Sequence, residues 1–345
     1  MSVISDSFSD HGFDDPDYVD KKEYENFKAE YAAILSRREM RWTKLTSKQE
    51  LRRGMKLKRF CRKGIPEDIR GQMWMALCGA DEQMHSNPGV YAAAVKGSPP
   101  DKIANVILAD IPRTFPENIF FRNPDNPDTK LKSLQRVLTA FAVKFPRIGY
   151  CQGLNYVTAI LLLVLRGTVD EVEEKAFWLL DGLINRILPP YYVDGMQQLK
   201  VDCMVFGELL RTKYPDIYDI VMNSGVNFIV LCTKWFICLF ADVLPIETTL
   251  RVFDCLFYEG DKILFRACLA LVKLHHEQLL RCHEVPELIT AFRQMCLDKQ
   301  TLRCHEFMRA MFSLPGSLKR TKITRLRGQC SAKLSAEESS RSARP

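Results

Sequence analysis

The sequence predicts an all-α fold. Apolar residues return every three or four positions in one segment after another, the spacing that lines one face of a helix. No stretch alternates strictly between apolar and polar residues within turn signals, as a half-buried strand would. No repeat period divides the 345 residues into an array.

The elements follow in order. Residues 1–20 hold six aspartates, several serines and no lysine or arginine. Such a composition offers too little apolar surface to stabilise folding, so an acidic disordered tail is expected there. Tyr24, Phe27, Tyr31, Ile34 and Leu35 define an amphipathic helix, which with the basic linker behind it makes up residues 21–63. The main domain is expected over residues 64–313. Within it, Leu131, Leu134, Leu138, Phe141 and Phe145 form another helical stripe. Pro146 limits that helix, because its ring clashes with helical backbone on its N-terminal side. Residues 156–165 are apolar except for Thr158 and stop at Arg166. That run is about half of what a bilayer crossing needs, and predicts a buried helix.

Later segments read alike. Residues 172–188 run up to Pro189 and Pro190, and residues 246–258 end near Gly260. Asp261 is expected to cap a long helix reaching about Arg281, its carboxylate accepting from the first-turn amides, with Leu264, Ala267, Leu271 and Leu274 facing inward. Segments 286–296 and 302–312 close the domain. Residues 85–100 and 123–128, rich in Pro, Gly and Asn, read as surface loops. Residues 314–345 are expected as a basic disordered tail.

The net charge of +7 is uneven. Residues 36–63 carry 12 Lys or Arg against two Glu, and residues 317–345 carry eight against two, which leaves the rest slightly acidic. The first reading of the 36–63 charges is the solvated face of a helix and its linker. Attraction to an anionic membrane surface comes second. Nucleic acid comes last, since only Trp42 and Phe60 interrupt the stretch with the aromatic surface that bases stack on. The twelve cysteines are scattered without a C-x-x-C pair, and the acidic N-terminus is the reverse of a secretory leader. Reduced, mostly buried thiols in a cytoplasmic protein are expected, with peripheral endomembrane contact as the variant that the basic stretch allows.

Two short motifs carry chemistry: Ile107, Asp110 and Arg113 in ILADIPR, and Tyr150 and Gln152 in YCQG. An arginine can neutralise charge on a phosphoryl group in transfer, and a glutamine amide can hold the attacking water by donating and accepting at once. The chain has no GxxxxGK[ST] loop to cradle phosphates itself. Further blocks accompany the motifs: GIPEDIRGQMW at 64–74, with Gly64, Ile65, Pro66, Arg70, Gly71 and Trp74; Gly153, Leu154 and Asn155 after Gln152; WFICLFADVLP from Trp235; and RVFDCLFYEG from Arg251 to Gly260. The combination resembles the TBC-domain family of GTPase-activating proteins for Rab GTPases. The resemblance covers residues 64–260 and extends through the helices to about 313. Phe253 departs from it, standing where many members carry tryptophan, an aromatic for an aromatic at a packing position.

The resemblance implies that Arg113 and Gln152 act as catalytic fingers in trans on a GTP-bound Rab-family GTPase, with Gln152 taking over water alignment from the GTPase's own glutamine. GTP and magnesium would belong to that partner, and no cofactor is expected. Asp110, Tyr150 and Asn155 would be supports, Asp110 orienting the arginine by a charge-assisted hydrogen bond. Arg70 is expected in an ion pair or hydrogen bond and Trp74 as a core anchor. The rivals are a non-catalytic Rab-binding scaffold and a membrane-adsorbing adaptor led by residues 36–63.

Other clusters are read as structural. His275, Cys282 and His283, with Cys304 and His305 behind them, have metal-ligand types, but residues seven apart on one helix lie about 10 Å from each other, too far for one tetrahedral ion. Cys151 is expected to pack rather than attack. Glu173 and Glu174 are expected on a solvated helix face.

Overall fold

A computed structural model describes residues 11–47, 52–126 and 129–342. Among them the chain is a succession of helices with no strand. The sequence places their ends. Helix Lys21–Thr46 starts where the Asp20 carboxylate accepts the Glu23 amide at 3.1 Å, satisfying one of the orphan donors of a first turn. Helix Leu131–Lys144 stops two residues before Pro146, and Leu154–Val164 is buried along its length except at Tyr156. These two helices pack with Val169–Asp181 to form one side of the core. Helices Ile246–Glu259, Lys262–Leu274 and Cys304–Ser313 pack together on the other.

The opening and closing blocks meet at one buried carboxylate. Asp254 accepts the Ile65 amide at 2.8 Å and the Trp74 indole N–H at 2.9 Å, while Arg70 Nε lies 3.3 Å from it without the alignment of a hydrogen bond. Trp74 stacks on Phe257 with ring centroids 4.9 Å apart and leans on Phe253 at 5.7 Å. Arg70 and Trp74 therefore join helix Glu67–Cys78 to Ile246–Glu259 inside the core. Burial pushes the Asp254 carboxyl up, against the opposing pull of Arg70, the Ile65 amide, Arg251 and Trp74; only such compensation makes a carboxylate tolerable at full burial.

Several local expectations are corrected. Residues 85–100 contain helix Val90–Val95, with Tyr91 and Ala94 buried. Glu173 is not solvated: it is buried and accepts from Tyr91 at 2.8 Å, Ser133 at 2.6 Å and Arg136. Asp261 makes no side-chain cap; its carboxylate pairs with Arg327 at 2.6 Å. The helix it precedes ends at Leu274, and His276–Leu279 is a separate turn.

Both flanks are more ordered than their composition predicts. Residues 1–10 and 343–345 lie outside the described residues, and so do 127–128 of the second loop. Beyond them, the His11 carbonyl accepts from Asn118 at 2.8 Å and Phe13 meets Phe115 edge-on at 5.1 Å. At the other end, helix Arg320–Ser342 docks along Gln197–Lys213. It buries Ile323, Leu326, Cys330 and Leu334, and Arg327 grips Asp202 at 2.7 and 2.6 Å.

All twelve cysteines are free and eleven are buried, Cys151 being half-buried. Among the described residues no single helix is long and apolar enough to cross a membrane. Pro215–Ser224 and Phe228–Ile237 reach that composition only together, bent by 114°.

Candidate functional site

Helix Asp101–Asp110 ends in a 3-10 turn, Ile111–Arg113, because Pro112 supplies no amide for continued helix. Ile107 and Asp110 are buried, whereas the Arg113 side chain is 55% exposed. The buried carboxylate is shared: one oxygen pairs with Arg113 Nη2, and the other accepts the Tyr150 hydroxyl at 2.6 Å. Burial, then the hydrogen bond to Asp110 and its charge, push the Tyr150 phenol well above its ordinary range, so it remains a donor.

The second motif lies between helices Leu131–Lys144 and Leu154–Val164. Gly153 has φ 111°, and a Cβ there would stand 3.1 Å from the Ile237 carbonyl oxygen. Only glycine combines that backbone with that approach, which seats the loop on the WFICLFADVLP block. Gln152, one residue earlier, is exposed, and among the described residues its amide has no hydrogen-bond partner. A free amide on an anchored backbone can both donate and accept.

Asn155 connects the two motifs. It is buried, its Oδ1 accepts the Gly153 amide at 3.0 Å, and its Nδ2 donates to Thr114 Oγ1 at 2.8 Å. Thr114 in turn donates to the Asp110 carbonyl at 2.8 Å. Tyr156 adds a bond from its hydroxyl to the Arg113 carbonyl at 3.3 Å. An exposed guanidinium and an exposed amide thus stand on two loops fixed to each other by buried polar bonds. Thr114 and Tyr156 were not singled out from sequence. Their signal was position alone, one residue beyond Arg113 and one beyond Asn155.

Arg70 and Trp74 are not in this network; their partners are Asp254 and, 3.9 Å from Arg70, Glu247. Asp254 was also unanticipated, although an acid flanked on both sides by apolar residues in RVFDCLFYEG marks it. Cys151 packs with its sulfur 3.9 Å from that of Met196. Burial and then the Asp110 charge push its thiol up to about 11, away from the reactive thiolate. His275 spans the Leu271 carbonyl at 2.9 Å and Asp298 at 3.0 Å. Among the described residues no group of three or more His, Cys, Asp or Glu could hold a metal ion.

Comparison with known proteins defines the class that this architecture belongs to. Residues 67–280 match the Rab-GTPase-TBC domain, and the chain is a member of the RabGAP-TBC family. It is 40% identical over 327 residues to growth hormone-regulated TBC protein 1 of Homo sapiens, covering 95% of this chain and 96% of that protein. Growth hormone-regulated TBC protein 1-A of Danio rerio is 40% identical over 330 residues, covering 95% and 91%. Among solved structures, the flagellar RabGAP TBC domain of Chlamydomonas superposes with TM-score 0.75 at 30% identity, over 90% of this chain and 100% of that one. The partner class that goes with this membership is a Rab GTPase.

Proposed function

We propose that this chain accelerates GTP hydrolysis on a GTP-bound Rab GTPase by inserting Arg113 and Gln152 into the partner's nucleotide site. The observation that carries the reading is the pairing of an exposed Arg113 guanidinium and an exposed Gln152 amide on loops joined through Asp110, Thr114 and Asn155.

Arg113 would spread its planar donors over the β- and γ-phosphate oxygens as charge builds there. Its bond to Asp110 holds it near the docking position while half of its surface stays open. Gln152 would place the attacking water in line, and nothing on its own chain competes for its amide among the described residues. The nucleotide and magnesium come from the GTPase, and this chain needs no cofactor. In another small GTPase an arginine supplied in trans is worth about 10³ to 10⁵ in rate.

Single-turnover hydrolysis across a panel of purified GTP-loaded Rabs, with wild type, Arg113→Ala and Gln152→Ala, tests the assignment. At least one Rab should respond to wild type and to neither variant. Equal acceleration by all three proteins refutes the fingers. Binding to several Rabs with acceleration of none establishes a scaffold instead.

A further inference from the structure

Among the described residues, four that are not glycine have a left-handed backbone: Phe115, Met196, Leu239 and Phe240, with φ between 47° and 66°. All four lie beside the two loops of the site. Phe115 follows Arg113 by two residues and meets the Tyr156 ring edge-on at 5.2 Å. Met196 packs its sulfur against that of Cys151, next to Gln152. Leu239 and Phe240 come directly after Ile237 and Cys238, whose carbonyl oxygen and sulfur are the atoms that a Cβ on Gly153 would meet. Such backbone is strained for a residue with a Cβ, and it persists only where the surroundings over-determine it.

On the Gln152 side, part of that hold comes from beyond residues 67–280. Helix Arg320–Ser342 lies along Gln197–Lys213, and its Arg327 donates through Nε and Nη2 to the buried Asp202. Asp202 also accepts the Tyr191 hydroxyl at 2.5 Å. The next residue, Tyr192, is buried and donates to the Ile237 carbonyl at 2.7 Å, the same oxygen that faces Gly153. A second route runs through rings: Arg327 lies 5.7 Å over Phe265, which packs at 5.3 Å on Phe236, the residue before Ile237. A third reaches Met196, because Glu338 on the C-terminal helix accepts at 2.8 Å from Gln197, one residue further on.

Taking Gln152 as the water-aligning finger, a reading on which this step rests, we propose that helix Arg320–Ser342 braces the Gln152 loop and that Arg327 and Tyr192 are positioning residues for the hydrolysis. Gly153 carries no side chain to anchor the loop, so the surface beneath it, at Ile237 and Cys238, sets its place. Tyr192 fixes that surface by holding the last carbonyl of helix Phe228–Ile237. Without Arg327, Asp202 becomes an unpaired buried charge, which is drawn toward water and takes its bond to Tyr191 with it. The neighbouring Tyr192 then shifts, and the strained turn under Gly153 is free to relax. Displacement of a catalytic group by an ångström is enough to lower a rate by about a hundredfold.

The test uses the full chain with Arg327→Ala, Tyr192→Phe and, as a control, Lys333→Ala, an exposed position on the same helix. Hydrogen–deuterium exchange read by mass spectrometry follows the backbone of residues 150–157 with no partner present. Single-turnover hydrolysis on a responsive GTP-loaded Rab, titrated with excess chain, separates the saturating rate from the half-saturating concentration. Tyr192→Phe keeps the ring and loses one hydroxyl, so it retains the fold even where Arg327→Ala does not; melting curves verify both. Both variants should exchange faster across residues 150–157 and should lose roughly tenfold or more in saturating rate. Their half-saturating concentration should stay at the wild-type value, and Lys333→Ala should match wild type in every readout. Unchanged exchange at 150–157 in both variants overturns the brace, and so does faster exchange that leaves the saturating rate intact. A wild-type rate in Gln152→Ala would refute the finger instead, and the exchange readout would still decide whether the helix holds the loop.

Discussion

Asn155 donates to Thr114 across 2.8 Å, and that bond joins the loop bearing Gln152 to the turn bearing Arg113. The same side chain accepts the Gly153 amide, so one buried residue sets the backbone on both sides of the site. Asn155→Leu keeps the volume roughly but leaves the Thr114 bond and the Gly153 amide unmet. Each unmet buried group costs about 1–3 kcal/mol, and misplacement of a finger by an ångström costs up to about a hundredfold in rate. Thermal melts and single-turnover hydrolysis with a responsive Rab check both effects. A variant that melts lower yet hydrolyses at the wild-type rate disproves the positioning role.

Tyr150→Phe removes one donor from the buried Asp110 carboxylate. Hydrogen bonds to charged groups contribute about 1.5–3 kcal/mol, and stability should fall by that order. Arg113 is then held by a less constrained carboxylate, so the hydrolysis rate at saturating protein should drop while affinity for the Rab stays unchanged. A rate-only effect in titrated single-turnover assays supports this; a loss confined to affinity contradicts it.

Much of this arrangement was legible in the residues. Pro146 located the end of Leu131–Lys144 and so put Gln152 just ahead of a helix, and the all-α class followed from apolar spacing. What escaped did so for identifiable reasons. Helix Val90–Val95 sits among Asn, Pro and Gly residues that signal turns, and its burial comes from partners distant in sequence, such as Tyr91 meeting Glu173. That same long-range bond put Glu173 inside, although adjacent acids suggested solvent. The C-terminal helix was masked by its charge: Ile323, Leu326, Cys330 and Leu334 recur at three- and four-residue steps, but six basic residues within Arg320–Ser342 dilute the pattern. Asp261 looked like a cap because a cap needs only local sequence, whereas its real partner, Arg327, lies far along the chain.

Arg327→Ala should detach that helix. It strips the guanidinium from Asp202, which is buried, and from Asp261. Breaking a buried pair from one side costs about 3–5 kcal/mol. Limited proteolysis should cut the variant between the helices Cys304–Ser313 and Arg320–Ser342 much faster than wild type. Equal cleavage would show that the apolar contacts suffice alone.

Stability should decline as pH falls from about 6.5 to about 4 through His11. Burial, then the charges of Arg70 and, more weakly, Arg166, hold this imidazole down to about 4, with Glu247 opposing; Glu67 lies 4.0 Å away. The unfolded chain takes up the proton near 6.5 and the folded one resists until about 4, so the unfolded state binds more protons across that window and gains on the folded state as pH drops. The slope from this group is at most about 1.4 kcal/mol per pH unit. Denaturant titrations of wild type and His11→Ala at pH 7, 5.5 and 4 should, on that sign, narrow the gap between them toward acid. Parallel curves would exclude His11 as the source.

The most direct test of the central claim uses a responsive Rab whose own water-positioning glutamine has been changed to alanine. If Gln152 aligns the water and Arg113 neutralises the phosphates, wild-type chain should still accelerate hydrolysis by this crippled GTPase, by roughly 10³ or more, and Gln152→Ala should abolish the effect without weakening binding. Loss of acceleration with the GTPase's glutamine, or acceleration undiminished by Gln152→Ala, would contradict the account.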